Sequence, residues 1–185
     1  MTSTSLDISN KIDPNTLAVL QSVAGAAQHL GIPFFVIGAT ARELVLHHYY
    51  GAKITRATQD LDFAIQVPDW SAFETLKTNL LASGFSETKT PHRLNTTKGG
   101  WIDLVPFGSV SDDGKAVAWP PKGDVVMNIL GFSEAFEHAL QVKIDDSERL
   151  FNEEITNRSL KELIRESCET SGQYAREPSK AIRLH

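Results

Sequence analysis

Three short segments set polar groups into otherwise apolar runs: Phe35-Val-Ile-Gly-Ala-Thr-Ala-Arg42, Thr58-Gln-Asp-Leu-Asp-Phe63 and Trp101-Ile-Asp-Leu-Val105. Side chains alternate along a strand, so Asp60 and Asp62 project from one face while Leu61 and Phe63 point into a core. Two carboxylates side by side repel, and a fold keeps both ionised where a cation lies between them. Asp103 has the same setting between Ile102 and Leu104, and an adjacent strand would bring it to that face as a third oxygen donor. Three carboxylates from two strands suit hard divalent cations, two Mg2+ ions or Mn2+ in their place, which take oxygen ligands and substrate phosphates. Gly38 supplies the complementary half. It closes a strand where a helix begins at Thr40, so backbone N–H groups and the helix dipole favour an anion such as a triphosphate, and the Thr40 hydroxyl can add a hydrogen bond. A metal cluster beside an anion cradle can hold a nucleoside triphosphate for in-line attack on its α-phosphate.

Those groups need elements to hold them. Asp13-Pro14 pairs an N-cap residue with proline at the first helical position, and Leu17, Leu20, Val23, Ala24, Ala27 and Leu30 follow at helical spacing up to Gly31. Residues 33–37 read as a buried strand, and helical spacing returns from Thr40 to Tyr50 before Gly51. A second strand is expected over Leu61–Val67, a helix capped by Asp69 through Leu81, and weaker strands near Phe85–Lys89 and His92–Thr96. Trp101–Val105 reads as a further strand ended by Pro106, and Ser109–Gly123 as a long turn-rich connection. A helix from Ser133 to Leu140 and a closing strand over Gln141–Ile144 complete the pattern. The organisation expected is one domain over residues 1–144 and a helical, partly mobile tail over 145–185, with an amphipathic helix at Arg149–Ile164.

Length, 41% hydrophobic and 22% charged residues exclude wholesale disorder and a coiled coil. No apolar run is long enough to span a membrane, the first ten residues do not read as a secretory signal, and the single cysteine, Cys168, fits a reducing compartment. A cytoplasmic location without membrane partners is therefore expected. The net charge of −5 argues against a surface devoted to nucleic-acid backbone. The basic groups nearest the site, Lys53 and Arg56, and those of the tail, Arg158, Lys161 and Arg165, predict weak, salt-dependent RNA binding at most. His47-His48 reads as a helix end rather than a zinc site. Arg42, Arg56, His92 and Arg93 could touch phosphates or the base but read first as surface or structural charges, and Trp119 with Pro120 and Pro121 reads as a rigid loop anchor, with stacking on a base as the alternative.

Taken in order, GATAREL after an apolar strand, TQDLDFAI, and WIDLVPFG resemble the nucleotidyltransferase superfamily that includes DNA polymerase beta. Within it they resemble the small AbiEii/AbiGii-type toxin nucleotidyltransferases. The resemblance spans about Phe34 to Leu140, with Ala39 where a second glycine usually stands. It implies an α/β nucleotidyltransferase fold with a short, mixed, twisted sheet and flanking helices. It further implies that Asp60 and Asp62 bind both metal ions, that Asp103 binds the catalytic one and helps deprotonate the attacking hydroxyl, and that Gly38 and Thr40 hold phosphates. The expected activity is transfer of a nucleoside monophosphate from a nucleoside triphosphate to an acceptor hydroxyl, on a protein, a small molecule or RNA, with an antitoxin as a further partner. The alternatives are a catalytically degenerate nucleotide- or partner-binding protein of the same fold, and a metal-dependent phosphohydrolase with water as acceptor.

Overall fold

A computed structural model describes residues 6–51, 60–144 and 182–184. The first helix, α1 (Pro14–His29), starts where the sequence places it: Asp13 Oδ1 accepts from the N–H groups of Asn15 and Thr16, both at 3.0 Å, with Pro14 just inside. It ends at His29 with Leu30 as C-cap, and Gly31, with a φ of +64°, turns the chain toward the next strand. Gly25, mid-helix and exposed, has no atom within 4 Å of where a Cβ would stand. Gly25→Ala is therefore expected to stabilise the fold by about 0.5–1 kcal/mol, read from urea unfolding, because alanine loses less backbone entropy in a helix.

The main sheet has eight strands. In chain order these are β1 (Leu6–Asp7), β2 (Phe34–Ile37), β3 (Asp60–Gln66), β4 (Ser86–Glu87), β5 (Arg93–Asn95) and β6 (Trp101–Phe107), with a separate hairpin of β7 (Ala116–Ala118) and β8 (Val126–Asn128), and then β9 (Leu140–Lys143) and β10 (Ile182–Leu184). The spatial order is β1-β9-β10-β2-β3-β6-β5-β4. At its centre β3 lies antiparallel to β2 and parallel to β6. The remaining helices are α2 (Gly38–Glu43), which runs on into a π-helical turn at Leu44–Tyr49, α3 (Trp70–Ala82) and α4 (Phe132–Glu137). The mixed α/β sheet with flanking helices expected from the sequence is the architecture observed.

Alternation gives the sheet two faces. Phe34 and Val36 register with Ile65 and Phe63 on one, and the Phe34 and Phe63 rings meet at 6.2 Å. On the other, Phe35 and Phe107 stack edge to face at 5.5 Å under Phe132 and Phe136 of α4. Asp60, Asp62 and Asp103 share this second face, at the end where β3 and β6 begin and β2 finishes.

Several elements depart from expectation. Pro106 does not end β6, which continues to Phe107. The Val67 N–H donates to the Phe107 carbonyl at 2.9 Å, so Phe107 faces β3 and Pro106 faces the other way, where β5 pairs no farther than Asp103 and no ladder needs its missing N–H. The connection expected over Ser109–Gly123 contains β7, which pairs with β8 as a hairpin. The helix expected from Thr40 begins at Gly38 and changes pitch at Leu44. The polar start contributes β1, and the tail contributes β10, inserted between β9 and β2. The amphipathic helix expected at 149–164 lies outside the described residues, as do Arg158, Lys161, Arg165 and Cys168 of the tail and Lys53 and Arg56. No helix among the described residues is long and apolar enough to cross a membrane.

Candidate active site

One row of the sheet carries the candidate chemistry. Ile37 of β2 registers with Asp62 of β3, Asp62 with Asp103 of β6, and Asp103 with Arg93 of β5; Asp60 and Trp101 are partners in the row two residues back. Register partners project to the same side, so the three acidic side chains predicted from the motifs stand on one face of adjacent strands. This position follows from alternation within each strand, since Leu61, Ile102 and Leu104 are buried on the opposite side.

Gly38 fits against this row. Its φ is +71°, and a Cβ built there would run into Oδ2 of Asp62. Only glycine gives both that conformation and that approach. The helix it opens has Ile37 as N-cap and no side-chain capping hydrogen bond, so its leading N–H groups are left for another acceptor. Thr40 is buried, and its hydroxyl donates to the Asp60 carbonyl at 2.8 Å. The threonine thereby ties α2 to the first residue of β3 and fixes Asp60 relative to the glycine turn.

Burial pushes the Asp62 carboxyl up to about 6, with the neighbouring charges of Asp103 and Asp60 adding to the rise and Arg93 opposing it. The Arg93 guanidinium is forked onto Asp103: Nε donates to Oδ1 at 2.7 Å and Nη2 to Oδ2 at 2.6 Å. It also lies 4.8 Å from the centre of the Trp101 ring, within cation–π range. His92, which precedes Arg93 in the chain, has its basicity lowered chiefly by burial. Its ring lies 5.5 Å from that of Trp119, a buried residue that also packs on Trp70 and Phe73, as an anchor should.

Arg93 is the residue of this row that sequence reasoning undervalued. The alternation of Arg93, Leu94 and Asn95 shows which way it points, but only the pairing of a three-residue strand shows what it meets. Arg42 stays exposed, and Arg56 lies outside the described residues.

The donor set fits one Mg2+ or Mn2+ ion at Asp60 and Asp62. Mg2+ is commonly held by one or two carboxylates, with phosphates and water completing its shell; burial raises Asp62 first and like charge second, and a cation would relieve the like-charge part. The fit does not extend to a closed protein cage: among the described residues no three His, Cys, Asp or Glu side chains are gathered so as to hold a metal ion. Both oxygens of Asp103 already accept from Arg93.

No family model and no curated protein matches the chain. Solved structures give distant likenesses. A CCA-adding enzyme in its apo form I is 20% identical over 52% of this chain and 21% of its own, with a TM-score of 0.38. The antibiotic-resistance factor ANT(2'')-Ia is 13% identical over 64% of both chains, with a TM-score of 0.41. The Thermotoga maritima CCA-adding enzyme complexed with tRNA is 16% identical over 74% of this chain and 33% of its own, with a TM-score of 0.37. The chain thus spans about a fifth to a third of the CCA-adding enzymes and under two thirds of the resistance factor.

Proposed function

We propose that the chain is a nucleotidyltransferase. The observation that carries this reading is the register that sets Asp62 beside Asp103, and Asp60 on the same face, against a glycine-opened helix start without a cap. In the proposed reaction an acceptor hydroxyl oxygen bonds to the α-phosphorus of a nucleoside triphosphate, the bond to the β-phosphate bridge breaks, pyrophosphate leaves, and the hydroxyl proton passes to solvent. Asp60 and Asp62 would hold Mg2+, which supplies charge neutralisation at the phosphoryl oxygens as they become more negative. The first N–H groups of α2 would take the phosphates, and Thr40 keeps that cradle in step with Asp60 through its hydrogen bond. Toxin action and an antitoxin partner follow from the sequence resemblance and join the proposal on that footing.

A second reading, a nucleotide-binding protein without transfer, is favoured by one observation: Arg93 holds both oxygens of the third carboxylate. Incubation with Mg2+ and each nucleoside triphosphate labelled at its α-phosphate, with cellular RNA, protein and small-molecule extracts as acceptors, separates the two. Label retained on an acceptor together with released pyrophosphate is the expected outcome. Bound but unconverted nucleotide would establish the second reading, and free labelled monophosphate would make the protein a phosphohydrolase.

A further inference from the structure

Arg93 is held from three directions. Its backbone pairs with Asp103 in the β5–β6 ladder, its carbonyl accepts from the Thr88 hydroxyl at 3.1 Å, and its side chain lies over Trp101 while forked onto Asp103. A bidentate guanidinium–carboxylate pair is the strongest common ion-pair geometry, and its planar donors match both oxygens at once. The Asp103 side chain is only 14% exposed, so it has little water to turn to if the fork is removed. A divalent ion at Asp103 would have to force that guanidinium aside or sit against its like charge. The three carboxylates and Arg93 together carry two negative charges, which one divalent ion balances.

We propose that Arg93 is the resident cation of Asp103, so that the site binds a single divalent ion, on Asp60 and Asp62, where three free carboxylates would bind two. This rests on the nucleotidyltransferase reading and changes its metal stoichiometry. Arg93 acts here as a positioning residue: it neutralises Asp103 in place and directs the metal to the other two carboxylates.

The test is a Mn2+ titration of the full chain, alone and with inorganic triphosphate, with bound ion counted by electron paramagnetic resonance. The wild type is expected to bind one ion per chain, Arg93→Gln two, and Arg93→Lys, which restores a cation, one. The Asp60→Asn, Asp62→Asn double variant is expected to bind none. Two ions on the wild type would overturn the proposal whether or not the variants fold, and so would a single ion on a folded Arg93→Gln. No ion on the wild type would instead bring down the metal-dependent reading beneath it, and this inference with it.

Discussion

Gly38→Ala is expected to lower nucleotidyl transfer by at least ~100-fold and to destabilise the fold by about 1–3 kcal/mol. Two costs meet at this residue. A φ of +71° places any side-chain-bearing residue in the left-handed region, and the added methyl would occupy the space of the Asp62 carboxylate oxygen. The structure can relieve the second cost only by moving the helix start or turning Asp62 away, and either displaces a proposed metal ligand from the phosphate cradle. Transfer should therefore fall much further than the loss of stability would explain, and Mn2+ affinity should fall with it. Gly25→Ala is the control, since open space and an ordinary helical conformation predict the opposite sign in unfolding experiments. A Gly38→Ala protein with wild-type Mn2+ affinity and transfer rate would show that the close approach to Asp62 has no part in function.

How much of this site could be read beforehand depends on the range of the interaction involved. The shared face of Asp60 and Asp62 follows from a period of two within one strand, so local sequence suffices. The Asp13 and Asp69 caps are equally local: each side chain accepts from N–H groups two or three residues ahead. Asp103 needed one further assumption, that its strand lies next to β3, and the register bears it out residue for residue. Arg93 needed more. Its hold on Asp103 depends on a strand of three residues whose pairing is set by the sheet around it, and a lone arginine in such a stretch looks like any surface charge. Pro106 misled because proline's missing N–H was weighed without knowing which edge it faced. β10 lies about forty residues after β9 and joins the sheet by contacts that no local pattern encodes.

Asp62→Asn is expected to reduce transfer by ~1000-fold or more, as loss of this proposed metal ligand would remove several kcal/mol of transition-state stabilisation. The same substitution should make the protein more stable near neutral pH in the absence of divalent ions. The Asp62 carboxyl titrates at about 6 in the folded chain against 3.8 in the unfolded one. Between those values the unfolded chain has released the proton while the folded chain still holds it, so stability falls as pH rises and stays lower above about 6. Asparagine has no proton to lose and escapes that fall. Because Asp62 is only partly buried, solvent screening reduces the gain to on the order of 1 kcal/mol. Urea unfolding at pH values on either side of this window should show wild type and variant converging in acid and separating toward neutrality. Added Mg2+ should then raise the wild type's stability with concentration and leave the variant nearly unchanged, because the ion would bind the ionised pair in the folded state. A variant less stable than the wild type in metal-free neutral solution would show that burial and the charge of its neighbours do not raise the Asp62 carboxyl. Undiminished transfer by the same variant would remove Asp62 from the proposed metal site.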